Sequence, residues 1–247
     1  MNNPFFTIMI PTRKRINHLK LCLESIFSTV SNPNNIEIRL AIDEDDTYTK
    51  RQIKSIISSY KNIFIHERNR GVSQADDYFN WMALRFCKGK YLIGGTDDGL
   101  MRTKDWDINS YERLENFLKD KPDGIVCGIL DDGEQKIQKC TWFTCDYPVI
   151  SKVATNVLGF YFDWHFPRYG SDLDITKTYN AINRIVDLRD IFVYEREPLE
   201  MRLVQETGEA LIPDIPLPGD LHYKAFAGKF LDDNVQKLND YIQSVKK

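Results

Sequence analysis

Residues 90–99 read KYLIGGTDDG, a short apolar run followed by two glycines, a threonine and a pair of aspartates. An apolar run of this length bounded by turn residues is typical of a buried β-strand. Glycines at a strand end allow a ligand or another backbone to approach closely. The stretch therefore predicts a strand that delivers Asp97 and Asp98 to a site at its carboxyl end.

The residues before this stretch alternate between strand and helix patterns. Apolar runs predict strands at 5–10 (FFTIMI), 36–42 (IEIRLAI), 62–66 and 90–94, and apolar residues at helical spacing predict helices near 19–27, 53–60 and 75–86. Such alternation predicts an α/β fold, with a mainly parallel, Rossmann-like sheet between helices on both faces. Ligands of these folds bind beyond the carboxyl ends of the strands. This rule selects four loops, at 11–15, 43–47, 66–71 and 96–99.

The second half of the chain is less regular. It predicts a strand at 124–130, a hairpin that turns at Asp132 and Gly133, a short helix at 151–158, and two short strands at 185–187 and 191–194. A proline-rich loop at 198–218 precedes a C-terminal helix.

Composition and charge exclude some classes of function. The 247 residues include 33 Lys and Arg against 36 Asp and Glu, a net charge of −3, which argues against nucleic-acid binding led by electrostatics. The uncharged stretch 153–162 is about half as long as a membrane-spanning helix, and a basic cluster after the first apolar run is the reverse of a signal peptide. Five cysteines without a CxxC pair favour free thiols and a cytoplasmic location.

Adjacent aspartates occur five times in the chain, so position must separate a site from ordinary solvated pairs. Asp97 and Asp98 alone follow an apolar strand and two glycines. A carboxylate pair in this place suits Mg²⁺ or Mn²⁺, which takes oxygen ligands from carboxylates, phosphates and water. A helix cap without a metal remains the alternative for this pair.

The order of motifs resembles the inverting glycosyltransferases of family 2, which have the GT-A fold. The resemblance covers roughly residues 5–180. The segments that carry it are FTIMIPT at 6–12, the helix pattern at 19–26, IDED at 42–45, NRGVSQA at 69–75, GKYLI at 89–93, TDD at 96–98 and GSDLD at 170–174.

This resemblance implies transfer of a hexose from a nucleotide-diphosphate donor, most simply a UDP-sugar, to a hydroxyl of a glycan or glycolipid acceptor, as in polysaccharide biosynthesis. It makes Asp172 the general base, with Asp174 in reserve. The implied donor-binding residues are Thr12, Arg13, Asp43, Arg70 and Asp97. It implies Mn²⁺ or Mg²⁺ on Asp98, with His222 as a further metal ligand.

The sequence also predicts a domain organisation. Residues 1–220 form a GT-A-like catalytic domain, with a nucleotide-binding half at about 1–100 and an acceptor half at about 101–220. Residues 221–247 form a C-terminal helical extension. The oligomeric state is left open.

Two other functions compete with sugar transfer. Thr96 stands where the family has its first motif aspartate, which keeps open a non-catalytic scaffold that binds carbohydrate or nucleotide. A sugar nucleotidyltransferase needs a glycine-rich loop after its first strand to admit phosphates. The loop at 11–15 contains no glycine, which counts against that enzyme.

Overall fold

The computed structural model describes residues 3–131, 147–166, 170–195 and 219–246, with the backbone alone at 192, 194–195 and 219–229. The predicted hairpin at Asp132 and Gly133 and the predicted loop at 198–218 lie outside these residues. Among the described helices, none is long and apolar enough to cross a membrane.

The strands and helices alternate in the first half of the chain, as its apolar pattern predicts. The strands are β1 (Phe6–Thr12), β2 (Ile36–Asp43), β3 (Ile63–Arg68), β4 (Tyr91–Gly94), β5 (Gly99–Met101), β6 (Cys127–Asp131), β7 (Pro148–Ser151) and β8 (Ile185–Glu195). The helices are α1 (Ile16–Thr29), α2 (Thr47–Ile57), a π-helical segment (Gln74–Asn80) that continues into α3 (Trp81–Arg85), α4 (Trp106–Leu118), α5 (Lys152–Leu158), α6 (Ser171–Ala181) and α7 (Gly219–Val245).

All eight strands form one sheet in the order β3-β2-β1-β4-β7-β6-β8-β5. The first four strands in that order run parallel, and β6 and β8 are also parallel to each other. Strand β7 is antiparallel to both β4 and β6, and β5 is antiparallel to β8. The predicted α/β class with a mainly parallel sheet between helices is confirmed.

Alternation along the buried strands supplies a core to each face of the sheet. Phe6, Ile8 and Ile10 of β1 pack into one apolar cluster with α1, α2 and α4, whereas Met9 points into the other. This division follows from the strand period of two residues. The second cluster includes Leu238 and Ile242 of α7, so the C-terminal helix is part of the core that supports the sheet.

One prediction about the second half is wrong. The two short strands expected at 185–187 and 191–194 are a single strand, β8, with an irregular register beside β6. Leu130 pairs with Leu188 and Asp131 with Phe192, so the residues between them loop out of the ladder. The charged residues Arg189 and Asp190 occupy this bulge, which is why the apolar pattern is interrupted there.

Candidate active site

Three parallel strands deliver their carboxyl ends to one edge of the sheet. Thr12 at the end of β1 is in register with Ile42, and Gly94 at the end of β4 is in register with Met9. The backbone N–H of Gly95 donates to the Met9 carbonyl at 2.8 Å, which holds the start of the 96–99 loop against β1. The loops after β1, β2 and β4 therefore lie side by side, as the sheet rule predicts.

Asp97 and Asp98 are both buried at this edge, with exposed fractions of 2% and 3%. The Thr12 hydroxyl donates to Asp97 Oδ2 at 2.8 Å, and Arg15 Nη1 lies 3.1 Å from Asp97 Oδ1. Arg15 Nη2 donates to Asp98 Oδ2 at 2.6 Å. Burial raises the pKa of Asp97 to about 7, the Arg15 charge opposes this shift, and the neighbouring Asp98 adds to it.

A second buried carboxylate, Asp43, ends β2 beside this pair. Tyr78 donates its hydroxyl proton to Asp43 Oδ1 at 2.6 Å, and Arg13 Nη1 donates to Asp43 Oδ2 at 3.1 Å. Arg13 also pairs with Asp45 in the loop after β2. Burial raises the pKa of Asp43, and the bonds from Tyr78 and Arg13 partly offset this effect.

The loop after β3 joins this network through Tyr78. The Gly71 N–H donates to the Tyr78 oxygen at 3.0 Å, and a Cβ at Gly71 would lie 2.5 Å from Asp77 Cβ. Only glycine allows this close approach. Arg70 precedes it on the exposed rim, where its charge contributes to lowering the pKa of Asp45, although the hydrogen bond from Arg13 is the larger cause.

Arg13 and Arg15 both point into the site because the residue between them reverses the chain. Lys14 has a positive φ of 53°, which an L-residue seldom adopts without support. That support comes from its N–H, which donates to Asp46 Oδ2 at 2.9 Å and to the Thr49 hydroxyl at 3.0 Å. The start of α2 thus fixes the conformation of the loop after β1.

Thr96, which replaces the first motif aspartate, packs below the site. Its hydroxyl lies 3.2 Å from the Tyr147 hydroxyl, and its carbonyl accepts from Cys22 Sγ at 3.4 Å. Thr96 and Cys22 also line an apolar cavity of about 30 Å³, which has room for about one water molecule. Thr96 therefore has a packing role where the family pattern has a carboxylate.

Asp172 and Asp174 lie in the first turn of α6, after Gly170 at a positive φ of 92°. Two residues correspond to about 200° around a helix, so the two carboxylates point to different sides. Asp172 is half-buried, while Asp174 is buried near Asp163. Burial and the Asp163 charge raise the pKa of Asp174 to about 7. Asp172 is thus the more accessible carboxylate of the two.

The turn between α5 and α6 is fastened to the end of β4. Tyr161 accepts a hydrogen bond from the Gly94 N–H at 2.7 Å and donates to the Pro148 carbonyl at 2.6 Å. Asn80 Oδ1 accepts from the N–H groups of Tyr161 and Phe162, and Asn80 Nδ2 donates to the Phe162 carbonyl. Of the described aromatic residues in this turn, Trp164 is the exposed one, at 57%.

The sequence-predicted residues thus divide into four groups. Thr12, Asp97 and Asp98 lie in one buried cluster at the carboxyl edge of the sheet, and Arg13 and Asp43 lie in a second, with Arg70 on its exposed rim. Asp172 lies on a separate element, α6. His222 falls in α7, but its side chain lies outside the described residues.

The sequence does not predict the contacts that Arg15 and Tyr78 make in the site. The sequence places Arg15 in a basic cluster at a strand end, but it gives no sign that this residue, with 2% exposure, is buried against the two aspartates. Tyr78 belongs to the apolar stripe at 75–86, so its pattern predicts a core residue and gives no sign that its hydroxyl bonds Asp43.

The donor set fits a divalent cation at one carboxylate. Both oxygens of Asp97 are engaged by Thr12 and Arg15, whereas no described residue donates a hydrogen bond to Asp98 Oδ1. No group of three His, Cys, Asp or Glu side chains within the described ranges is arranged to hold a metal. A cation here would take Asp98 as its protein ligand and complete its shell with phosphate and water oxygens.

Solved structures with this fold include complexes with nucleotides and nucleotide sugars. Mannosyltransferase PcManGT from Pyrobaculum calidifontis, in complex with GDP-Man and Mn²⁺, matches at a TM-score of 0.62 and 16% identity over 100% of this chain and 76% of that one. S. aureus TarS 1-349 with UDP-GlcNAc matches at 0.62 and 12% identity, over 93% of this chain and 66% of that one. The complex of TarS 1-349 with UDP matches at 0.57 and 13% identity, over 76% and 59%.

Sequence comparison identifies the family to which the chain belongs. A search of curated proteins finds no significant match. The model of the glycosyl transferase family 2, however, matches residues 7–187, which include the carboxyl ends of the strands that form the site and the acidic first turn of α6. The chain therefore belongs to glycosyl transferase family 2 and has the GT-A fold.

Proposed function

We propose that this protein transfers a hexose from a nucleotide-diphosphate sugar to a hydroxyl of a glycan or glycolipid acceptor. The observation that carries the proposal is a pair of neighbouring buried clusters at the carboxyl edge of the sheet, in which Arg13 pairs with Asp43 and Arg15 pairs with Asp97 and Asp98. Burying a carboxylate costs free energy unless it is paired, so the concentration of three buried carboxylates at one edge of the sheet points to a site.

Each part of the network has a proposed role toward the donor. Asp43 holds the nucleoside base and Asp97 the ribose, because carboxylates accept hydrogen bonds from base N–H and ribose O–H groups. Arg13 and Arg70 are positioned to attract the diphosphate. The family pattern supports a UDP-sugar as the first donor to test, while GDP-Man in one related structure makes a GDP-sugar the next.

We propose Asp98 as the ligand for Mn²⁺ or Mg²⁺, with His222 as a further ligand to be tested. When bound, the ion supplies positive charge to the diphosphate as it leaves. The chain adds to this charge through Arg13 and Arg70.

The proposed chemistry is a single displacement with inversion at the anomeric carbon. The acceptor oxygen forms a bond to the anomeric carbon as the bond from that carbon to the diphosphate oxygen breaks. The acceptor proton passes to the Asp172 carboxylate, and the electron pair of the broken bond leaves with the diphosphate. The accessible position of Asp172 in the first turn of α6 supports this role over buried Asp174.

The proposed setting is the cytoplasm, in polysaccharide biosynthesis. It is supported by the buried free thiols of Cys22, Cys87 and Cys127, which are typical of proteins in a reducing compartment.

A donor panel tests the proposal. The protein is incubated with UDP-, GDP-, dTDP- and CDP-sugars, Mn²⁺ and a set of glycan and glycolipid acceptors, and release of the nucleoside diphosphate is followed by chromatography. The expected result is diphosphate release that depends on acceptor. Binding of nucleotide without release would favour the non-catalytic scaffold, and pyrophosphate formation from a nucleoside triphosphate and a sugar phosphate would favour a nucleotidyltransferase.

A further inference from the structure

The positively charged side chain of Arg15 already contacts both aspartates of the site. Arg15 is fully buried and bonds one oxygen of each carboxylate, at 3.1 Å to Asp97 and 2.6 Å to Asp98. The contact to Asp98 is a hydrogen bond between two charged groups, which is shorter and stronger than one between neutral groups, and the contact to Asp97 is an ion pair.

The net charge of the aspartate pair and Arg15 attracts a free metal ion only weakly. With both carboxylates ionised, Asp97, Asp98 and Arg15 together carry one negative charge. A divalent cation on Asp98 would lie close to the Arg15 guanidinium, and repulsion between like charges is strong in a buried site. A nucleoside diphosphate brings further negative charge, which changes this balance in favour of the metal.

The geometry of the aspartate pair also disfavours binding of a free metal ion. Arg15 and Thr12 engage both oxygens of Asp97, and Arg15 engages Oδ2 of Asp98. One protein oxygen, Asp98 Oδ1, accepts no hydrogen bond from a described residue. A single carboxylate oxygen is a weak site for Mn²⁺ or Mg²⁺, which keeps most of its water until phosphate oxygens are added.

We infer that Arg15 is the positioning residue that sets the metal requirement of this site. It bonds Oδ2 of Asp98 and leaves Oδ1 for the metal. It competes with a divalent cation for the aspartate pair, and it thereby makes the metal enter together with the nucleoside diphosphate. The part of the inference that concerns the diphosphate rests on the proposed function, whereas the competition between Arg15 and the metal does not.

The position of Arg15 supports this role. The left-handed Lys14 sends Arg13 toward Asp43 and Arg15 toward Asp97 and Asp98, so neighbouring arginines serve different carboxylates. Arg15 also precedes α1, where the Leu19 N–H donates to the Arg15 carbonyl at 3.0 Å. Backbone and side chain of Arg15 are thus both fixed by the fold.

Titration of Mn²⁺ into the free protein tests the inference without nucleotide or turnover. The loss of the aqueous Mn²⁺ signal is followed by electron paramagnetic resonance at mildly alkaline pH, for the wild type, Arg15→Gln and Arg15→Lys. Arg15→Gln keeps a hydrogen-bond donor and removes the charge, so it is expected to bind Mn²⁺ at least about tenfold more tightly than the wild type. Arg15→Lys keeps the charge and is expected to stay within about threefold of the wild type.

Arg184→Met is the matched control, because Arg184 pairs with buried Asp123 elsewhere in the fold. It is expected to leave Mn²⁺ binding unchanged. Equal Mn²⁺ affinity in the wild type and Arg15→Gln would overturn the inference, and so would a gain of the same size in Arg15→Lys or Arg184→Met.

Melting of the wild type gives a test that holds even if Arg15→Gln does not fold. Mn²⁺ alone is expected to leave the melting temperature unchanged, and Mn²⁺ with excess UDP or GDP is expected to raise it above the value with either nucleotide alone. Stabilisation by Mn²⁺ alone that equals stabilisation by Mn²⁺ with nucleotide would overturn the inference. If no nucleotide stabilises the protein in any condition, the proposed function fails, and the Mn²⁺ titrations still decide the role of Arg15.

Discussion

At the scale of single residues, accessibility separates the proposed base from the carboxylates of the proposed donor site. Asp97, Asp98 and Asp43 are buried and bonded by arginine, threonine or tyrosine, which fixes their orientation toward a donor. Asp172 has no such bond from its side chain to any described residue and is half-buried. Its position suits a group that must contact a changing partner, the acceptor hydroxyl.

Asp172→Asn removes the proposed base and leaves the donor network intact. We expect acceptor-dependent diphosphate release to fall about 10²–10⁴-fold, as is usual for loss of a general base, while nucleotide affinity changes by less than about threefold. Initial rates and calorimetric titrations measure the two quantities. Asp190→Asn, an exposed partner of Arg113, is the control and should keep wild-type rates. A rate in Asp172→Asn equal to that of the control would remove Asp172 from the mechanism.

Tyr78→Phe tests whether the orientation of Asp43 matters for binding. The substitution removes the hydroxyl that donates to Asp43 at 2.6 Å and keeps the buried ring. Without this bond Asp43 is no longer held in one orientation, so we expect nucleotide affinity to fall about tenfold, a fraction of the stabilisation of about 1.5–3 kcal/mol that a hydrogen bond to a charged group can give. Calorimetry measures the change, with Tyr60→Phe as the control because the Tyr60 ring stacks on Phe27 away from the site network. Unchanged affinity in Tyr78→Phe would argue against a role of Asp43 in donor binding.

At the scale of elements, the site is held by contacts between loops and the segments that follow them. The start of α2 fixes the loop after β1 through Lys14, and the π-helical segment fixes the turn at 160–166 through Asn80. Asn80 ends that segment and uses both amide atoms on the backbone of Tyr161 and Phe162. The turn before α6 therefore depends on one buried side chain.

Asn80→Ala should loosen the turn that leads toward Asp172. It leaves two N–H groups and one carbonyl of the turn without their partner, which we expect to lower the free energy of unfolding by about 2–4 kcal/mol. Urea denaturation followed by circular dichroism measures this change. Asn156→Ala, at an exposed position of α5, is the matched control and should change stability by less than about 0.5 kcal/mol. Equal stability of the two variants would show that the Asn80 bonds do not hold the turn.

The elements of the first half could be predicted from sequence because each strand is a short apolar run and each helix has an apolar stripe. Loop geometry could not. The sequence RKR at 13–15 shows three basic residues, but it does not show that Lys14 has a φ of 53° or that both arginines are buried. The pairing of Arg15 with Asp97 and Asp98 joins residues more than 80 positions apart, and no local pattern encodes it.

The bulge in β8 is a second feature that pattern reading missed. Charged residues interrupt the apolar run at 189–190, which predicted two strands, whereas the tertiary pairing with β6 carries one strand past the interruption. Pairing with a neighbouring strand can thus keep a strand continuous where its own sequence does not favour one.

At the scale of the whole molecule, acidic residues face each other across packed elements. Asp174 of α6 lies near Asp163 of the preceding turn, and Asp163 accepts a hydrogen bond from Asn234 of α7 at 2.9 Å. The C-terminal helix therefore contributes to the same buried polar cluster that supports the proposed base. Charge in this cluster should make the stability of the fold depend on pH.

Asp174→Asn tests that dependence. Burial and Asp163 raise the pKa of Asp174 from 3.8 to about 7, so the folded state keeps a proton that the unfolded state releases. The stability that this proton provides is full at low pH and is lost as the pH rises toward 7. Above that range we expect Asn, which needs no ionisation, to raise the free energy of unfolding by about 2–4 kcal/mol relative to the wild type.

Urea denaturation at about pH 5 and about pH 8 measures the effect. The gain from Asp174→Asn should be larger at the higher pH. A gain of equal size at both pH values, or a loss that grows with pH, would contradict a raised pKa at Asp174.

The central claim is that the carboxyl edge of the sheet binds a nucleoside diphosphate, and calorimetric titration tests it most directly. UDP, GDP, dTDP and CDP are titrated into the wild type with and without Mn²⁺, and into Asp97→Asn as a site variant. We predict that at least one diphosphate binds the wild type, more tightly with Mn²⁺, and that Asp97→Asn weakens this binding about tenfold or more. Absence of binding for all four nucleotides, with and without Mn²⁺, would contradict the account.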